Sequence, residues 1–232
     1  MRLIQWRSLK TRVALITLLI FMCSIWVLSF FAGRVLREDL QNVLGEQQLS
    51  TVSVFARQIN DDLNERLQSL QAITHQITPA VLGDAAALQT LLEQRPLLLL
   101  LFNGGAWVAR SDGTAIADIP RSAQRIGTNY LNVDAIATAL QQGKASVSRP
   151  MQGRKLLTPV VAMAVPIRGP TGQVIGVLVG VTDLAKPNFL DTVTQSQYGK
   201  TGGYLLMDRQ HHFLVKAAGK IRNMQPLPAY GQ

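Results

Sequence analysis

The hydrophobic pattern changes three times along the chain. First, Val13–Ala32 (VALITLLIFMCSIWVLSFFA) is apolar on every face and holds neither a charge nor a proline. As a helix rising about 1.5 Å per residue it reaches roughly 30 Å, the thickness of a bilayer's hydrocarbon core. A helix pairs its own backbone groups, so the run can sit in lipid without unmet hydrogen bonds. Arg2, Arg7, Lys10 and Arg12 precede it, while Arg34 and Arg37 are followed at once by Glu38 and Asp39. That bias predicts a membrane anchor, with residues 1–12 on the cytoplasmic side and everything after about residue 33 outside. A cleaved signal peptide competes, but its apolar core runs only about 7–15 residues and ends in small side chains. This run is longer and closes on Phe30-Phe31-Ala32-Gly33.

Next comes a helical period. Val52, Ala56, Ile59, Leu63, Leu67, Leu70, Ile73 and Ile77 recur at spacings of three and four, with polar residues between them. They predict a stalk helix over residues 33–78, weakened at Gly45 and ended by Pro79. Its stripe would pair with a second copy in a homodimer or pack on its own domain. Asp84–Arg95 reads as a short helix with Asp84 as N-cap and Pro96 as its stop.

The third pattern is of strand length. Leu97–Phe102 is a continuous apolar run, and Asn103-Gly104-Gly105 signals a tight turn. Ala106–Ser111 and Thr114–Ile119 flank Asp112-Gly113, a second hairpin signal. Residues 120–131 read as loop and Asp134–Gln142 as helix, stopped by Gly143. Ala145–Ser148, Leu156–Ile167 and Gln173–Thr182 are the next strands, followed by a helix over Pro187–Gln197 and a hairpin of Tyr204–Met207 with Phe213–Lys216. Strands joined by short turns predict an antiparallel sheet flanked by helices, an α+β class. The implied organisation is a tail (1–12), an anchor (13–32), a stalk (33–78), a sheet module (79–184), and a connecting helix with the start of a second module (185–232). The last hairpin has too few partners for a core of its own.

Charge adds little beyond topology. The formal balance is +9, but four of the 23 basic residues lie in the first twelve, leaving 19 against 14 acidic ones. No basic block follows the anchor, so nucleic acid is not an expected partner. The single cysteine, Cys23, lies inside the apolar run. Tyr198–Gly203 (YGKTGG) half-matches a phosphate loop, but Thr194 stands where the first glycine belongs, so a turn is the better reading. His211 and His212 would point to opposite faces of a strand, which rules against a shared metal. Gly176 and Gly180 show membrane-helix spacing in a run too short to span, so strand is preferred. No acid–base or nucleophile set is evident, so neither catalysis nor a cofactor is expected. The suggestive polar set is Arg110, Asp112, Asp118, Arg121, Arg125, Tyr130, Asp134 and Asp183, any of which also suits a surface or capping role. Ligand-binding candidates within it are Arg110, Asp112, Arg125, Tyr130 and Asp183.

Asn103–Pro120 (NGGAWVARSDGTAIADIP), Ala123–Tyr130 (AQRIGTNY), Met163–Arg168 (MAVPIR), Val174–Leu184 (VIGVLVGVTDL), Lys186–Leu190 (KPNFL), Tyr198–Leu206 (YGKTGGYLL) and Met224–Pro228 (MQPLP) together resemble the double Cache sensor domain of membrane-bound GGDEF signalling proteins. The likeness is collinear over about residues 34–232. It implies a long first helix, a membrane-distal PAS-like module to about Asp183, and a membrane-proximal module from near Thr201. It also implies a small-molecule ligand or partner and a diguanylate cyclase-type output not included in this sequence. A chemoreceptor or histidine-kinase input, or a membrane-anchored dimerisation protein indifferent to ligand, are the alternatives. Amino-acid-binding relatives carry a Tyr, Arg, Trp and Tyr cluster. Here Tyr130 stands, but the arginine falls on Val133 and the two aromatics on Ala135 and Ile136. Asp183 matches the aspartate that receives the ligand's amino group. Half of that site is therefore missing, which implies a less polar pocket or no small ligand.

Overall fold

The computed structural model describes residues 9–191 and, beyond them, strand segments at 197–198, 202–203, 205–208, 213–217 and 225–226. Two units make up the chain, Met1–Ala56 and Arg57–Gln232. Helix α1 (Leu9–Thr74) supplies the described residues of the first and opens the second. Within the first unit, Leu15–Arg34 is long and apolar enough to cross a membrane, and none of it is buried against protein.

In the second unit the helical stripe is buried progressively. Ile59, Leu63 and Leu67 are half-buried, whereas Leu70 and Ile73 are in the core. At the other end, Val52 remains 46% exposed. The stalk helix ends earlier than expected, at Thr74, and buried Ile77 lies beyond it. Pro79 opens a new helix, α2 (Pro79–Gly83), whose N-cap Thr78 hydroxyl accepts from the Val81 amide. A first-turn proline has no amide to leave unpaired, so it starts a helix as readily as it stops one. Helix α3 (Ala85–Glu93) follows as predicted, with Asp84 Oδ1 accepting from the Ala86 and Ala87 amides.

The predicted strand at Leu97–Phe102 is instead helix α4 (Pro96–Leu101). Pro96 again sits in the first turn, and only Leu98 of the leucine run is fully buried. A short apolar run has no period to separate the two states. Asn103-Gly104-Gly105 therefore links a helix to a strand rather than closing a hairpin. Gly105 has φ +89°, and a Cβ there would lie 2.1 Å from the Ile119 carbonyl oxygen.

Strands β1 (Ala106–Arg110) and β2 (Ala115–Ile119) form the Asp112-Gly113 hairpin. After a 3₁₀ turn at Arg121–Ala123 and helix α5 (Asp134–Gln142) come β3 (Ser146–Val147), β4 (Met151–Gln152), β5 (Pro159–Arg168) and β6 (Val174–Asp183). All pair antiparallel, in the order β2-β1-β6-β5-β3. Strand β4 shares the β3 edge of β5, through Met151–Val160 and Gln152–Pro159. The α+β class is as read from the sequence.

Alternation along β5 and β6 divides the interior in two. Met163, Val165, Ile167 and Leu178 join Leu70, Leu88, Leu92, Leu98 and Phe102 on the side of α1–α4. Val160, Ala162, Ala164, Val177, Val179 and Val181 face α5, with Trp107, Tyr130, Val133 and Ile136. On the first side, Gly180 lets the Phe102 ring lie flat on the sheet: a Cβ there would come within 2.5 Å of it.

The expected Pro187–Gln197 helix fares poorly at both ends. Pro187–Leu190 is not helical and Gln197 belongs to β7 (Gln197–Tyr198), while residues 192–196 lie outside the described residues. A local ring of Asn188 and Asp191 hydrogen bonds holds the turn. Further on, β7 pairs β8 (Gly202–Gly203), and β10 (Phe213–Ala217) pairs β9 (Leu205–Asp208) as the predicted hairpin, with β11 (Gln225–Pro226) on its other edge. His211 and His212 lie outside the described residues.

Candidate ligand-binding cavity

A cavity of about 250 Å³ opens on the α5 side of the sheet. Its base is apolar because every second residue of β5 and β6 points there: Val160, Ala162 and Val181, joined by Trp107 from β1. Val133 and Ile136, at the start of α5, form one wall. The opposite wall is the turn between β4 and β5, which places Arg154, Lys155 and Leu156 at the mouth. That turn is closed by Gly153 N–H to Thr158 O (2.8 Å) and Leu157 N–H to Gly153 O (3.1 Å).

Tyr130 stacks on Trp107, with ring centroids 4.5 Å apart and planes at 40°. Its other neighbour is Arg154, whose guanidinium lies 5.8 Å from the Tyr130 ring centre. Arg154 Nη1 also donates to Asn129 O at 2.8 Å, so a ring and a carbonyl hold the cation in place. Burial pushes the Tyr130 hydroxyl above its ordinary pKa of 10.0, against the pull of Arg125 and together with the push of Asp118.

Arg125 lines the inner end of the cavity and is almost wholly buried. Its Nη1 donates to Asp118 Oδ1 at 2.6 Å, its backbone N–H to Asp118 Oδ2 at 3.0 Å, and its Nη2 to Gly104 O. The pair is internally neutral and ties β2 to the turn before β1. At the mouth, Asp134 is the one carboxylate among the lining residues, and it is engaged as well. Oδ1 accepts from the Ala135 amide at 2.8 Å, and Oδ2 from the Arg149 amide at 3.3 Å.

Of the five candidates, Arg125 and Tyr130 line this cavity and the other three do not. Arg110 ends β1, exposed. Asp112 is in the β1–β2 turn, where its carboxylate accepts from the Thr114 amide. Asp183 is buried two residues past Val181, with Oδ1 accepting from the Ala185 amide at 3.0 Å and Oδ2 3.7 Å from Lys186 Nζ. It acts there as a cap at the end of β6. Asn103 completes that corner, accepting from the Asp183 amide at 2.7 Å and donating to its carbonyl at 3.1 Å. Sequence reasoning missed Trp107, Arg149, Arg154 and Lys155. Three basic residues within Arg149–Lys155 were the available signal, but only the β4–β5 pairing brings them to the cavity.

The chain belongs to the Cache domain family, which it matches over residues 36–229. Among solved structures it is similar to the ligand-binding domain of Mlp24 with asparagine (16% identity, TM-score 0.63, covering 82% of this chain and 77% of that one). It is also similar to the ligand-binding domain of the Pseudomonas fluorescens chemoreceptor CtaA in complex with L-serine (20%, TM-score 0.57, 75% and 71%). A third is an extracellular ligand-binding receptor from Desulfohalobium retbaense (16%, TM-score 0.56, covering 71% of this chain); this chain spans 30% of that receptor. These likenesses show the fold. No curated protein matches the sequence.

Proposed function

We propose that this chain is the sensory input region of a bacterial transmembrane signalling protein. In this reading the Cache sheet binds a small ligand in the Trp107–Tyr130 cavity. The α1 helix and its apolar segment pass the resulting change across the inner membrane, to an output of diguanylate cyclase type. A ligand moves such an equilibrium only by as much as it prefers one state over the other. The carrying observation is a largely apolar, preformed cavity with a few convergent polar groups, the usual form of a small-molecule site, on a sheet of this family. The anchor at residues 13–32 would leave 1–12 cytoplasmic and later residues periplasmic. A stalk (33–78), a distal module (79–184) and a partial proximal module (185–232) complete the organisation. Two copies would join along the exposed part of the stalk stripe.

A chemoreceptor input is the second reading, favoured by the chemoreceptor named above. The source gene read on past Gln232 separates them. A second apolar span and a GGDEF domain supports the first. A methyl-accepting coiled coil supports the second, and a kinase core would count against both.

A further inference from the structure

The charge around the cavity goes further than its shape. Every acidic group within or beside it already has a partner: Asp118 with Arg125, Asp134 with two amides, Asp183 with an amide and Lys186. Among the lining residues one carboxylate, Asp134, faces four basic side chains, and both its oxygens already accept from backbone amides. The basic groups at the mouth are less engaged. Arg149 and Lys155 make no ion pair among the described residues, and Arg154 is held by an uncharged carbonyl and the Tyr130 ring, with donors to spare. All three lie at the mouth, where a guanidinium or ammonium keeps partial hydration until a ligand displaces it. Inside, Trp107, Val133, Ile136, Val160 and Val181 offer only apolar surface. The volume, about 250 Å³, is below the roughly 300–1,000 Å³ of pockets that take drug-sized ligands.

We infer that the cavity selects a small organic anion: a carboxylate whose apolar body enters between Trp107 and Val181, and whose charged end stays at the mouth on Arg149, Arg154 and Lys155. It discriminates against a free α-amino acid, because the ammonium beside the carboxylate would be held against Arg149, Arg154 and Lys155, with only Asp134, whose oxygens already accept from two amides, to offset that repulsion. Guanidinium groups bind a carboxylate in parallel pairs of hydrogen bonds, which suits two arginines flanking one mouth. The inference rests on the reading that this cavity is the ligand site.

Calorimetric titration and thermal unfolding of the full chain in lipid nanodiscs test it. The probes are butanoate, 4-methylpentanoate, benzoate and 3-phenylpropanoate, each beside an α-amino acid and an amine of similar body. At least one carboxylate is expected to bind and raise the midpoint, with its amino-acid and amine counterparts weaker by about tenfold or more. The combined Arg149→Ala, Arg154→Ala and Lys155→Ala variant is expected to lose about tenfold or more of that affinity, while its unliganded midpoint falls only by what the Arg154 contacts with Asn129 O and the Tyr130 ring contribute. All three residues are exposed, so the variant still folds. An amino acid or amine that binds as tightly overturns the anion inference and leaves the site reading standing. So does a carboxylate whose affinity ignores the triple variant. A chain indifferent to all three classes overturns both.

Discussion

Arg125 shows how a residue lining a cavity acts mainly on the fold beneath it. Its partner Asp118 is fully buried, so removing the guanidinium strands a carboxylate in the interior. Arg125→Met is expected to lower unfolding free energy by about 3–5 kcal/mol. Arg125→Met with Asp118→Leu should recover part of that, measured by denaturant unfolding of both. Tyr130 makes a pH prediction. Its folded-state pKa is raised, so the fold prefers the protonated phenol. The resulting stability is whole below 10.0, the ordinary value, and is lost as pH rises through the higher folded-state value. Alkaline unfolding midpoints followed above pH about 9 should fall less steeply in Tyr130→Phe; equal slopes would remove Tyr130 from the account.

At the scale of elements, the vulnerable point is the outer edge of β2, which residues 127–129 pair only at its Ala115 end. Gln89, buried on α3, covers it as a surrogate strand: its Nε2 donates to Asp118 O at 2.8 Å and its Oε1 accepts from Asp118 N–H at 3.0 Å. Gln89→Leu leaves both backbone groups unpaired, at a cost of about 1–3 kcal/mol each. Hydrogen exchange at the Asp118 amide should accelerate before that of β5 or β6. The core strands were legible because β1, β5 and β6 are apolar runs bounded by Asp-Gly, Arg-Gly-Pro-Thr-Gly and similar turns. Helix α5 was legible from its amphipathic period and Gly143, which takes φ +63° at the C-cap. Helix α4 was not. PLLLLL satisfies strand length and helix start equally, and what decides it is Leu98 dropping into a core shared with α1 and the distant β5 and β6 residues. The cavity is the same problem at longer range. Tyr130 and Arg125 could be singled out locally, whereas Trp107, Arg149 and Lys155 meet only after β4 pairs with β5. Asp183 had both a ligand and a capping reading, and the chain just after β6 turns back so that its carboxylate caps the Ala185 amide.

For the whole molecule, stability and sensing are linked through occupancy. A ligand present at about 100 times its dissociation constant stabilises the state it binds by about 2.7 kcal/mol. Thermal unfolding of the intact chain should therefore rise with the logarithm of ligand concentration once above saturation; a midpoint that plateaus there would mean binding to the unfolded chain as well. The antiparallel sheet carries the family's fold at 16–20% identity to the solved domains named above. That is what a sheet held by alternation and turn chemistry permits.

The mouth of the cavity hangs on a ladder of two pairs, as short as that of β3 on β5. Only Met151–Val160 and Gln152–Pro159 fasten β4 to β5, and the turn bearing Arg154 and Lys155 follows directly. Its opening need disturb only those two pairs and the exposed Arg154 contacts with Asn129 O and the Tyr130 ring, so it can open on a faster clock than global unfolding. Association should then be limited by that opening and reach a ceiling as ligand concentration rises, even though the cavity is preformed. A disulfide across the ladder, in a Gln152→Cys/Pro159→Cys variant, should slow capture and release alike and leave affinity nearly as it was. The sensor's response time, rather than its sensitivity, is then set by one short ladder and the contacts of one arginine.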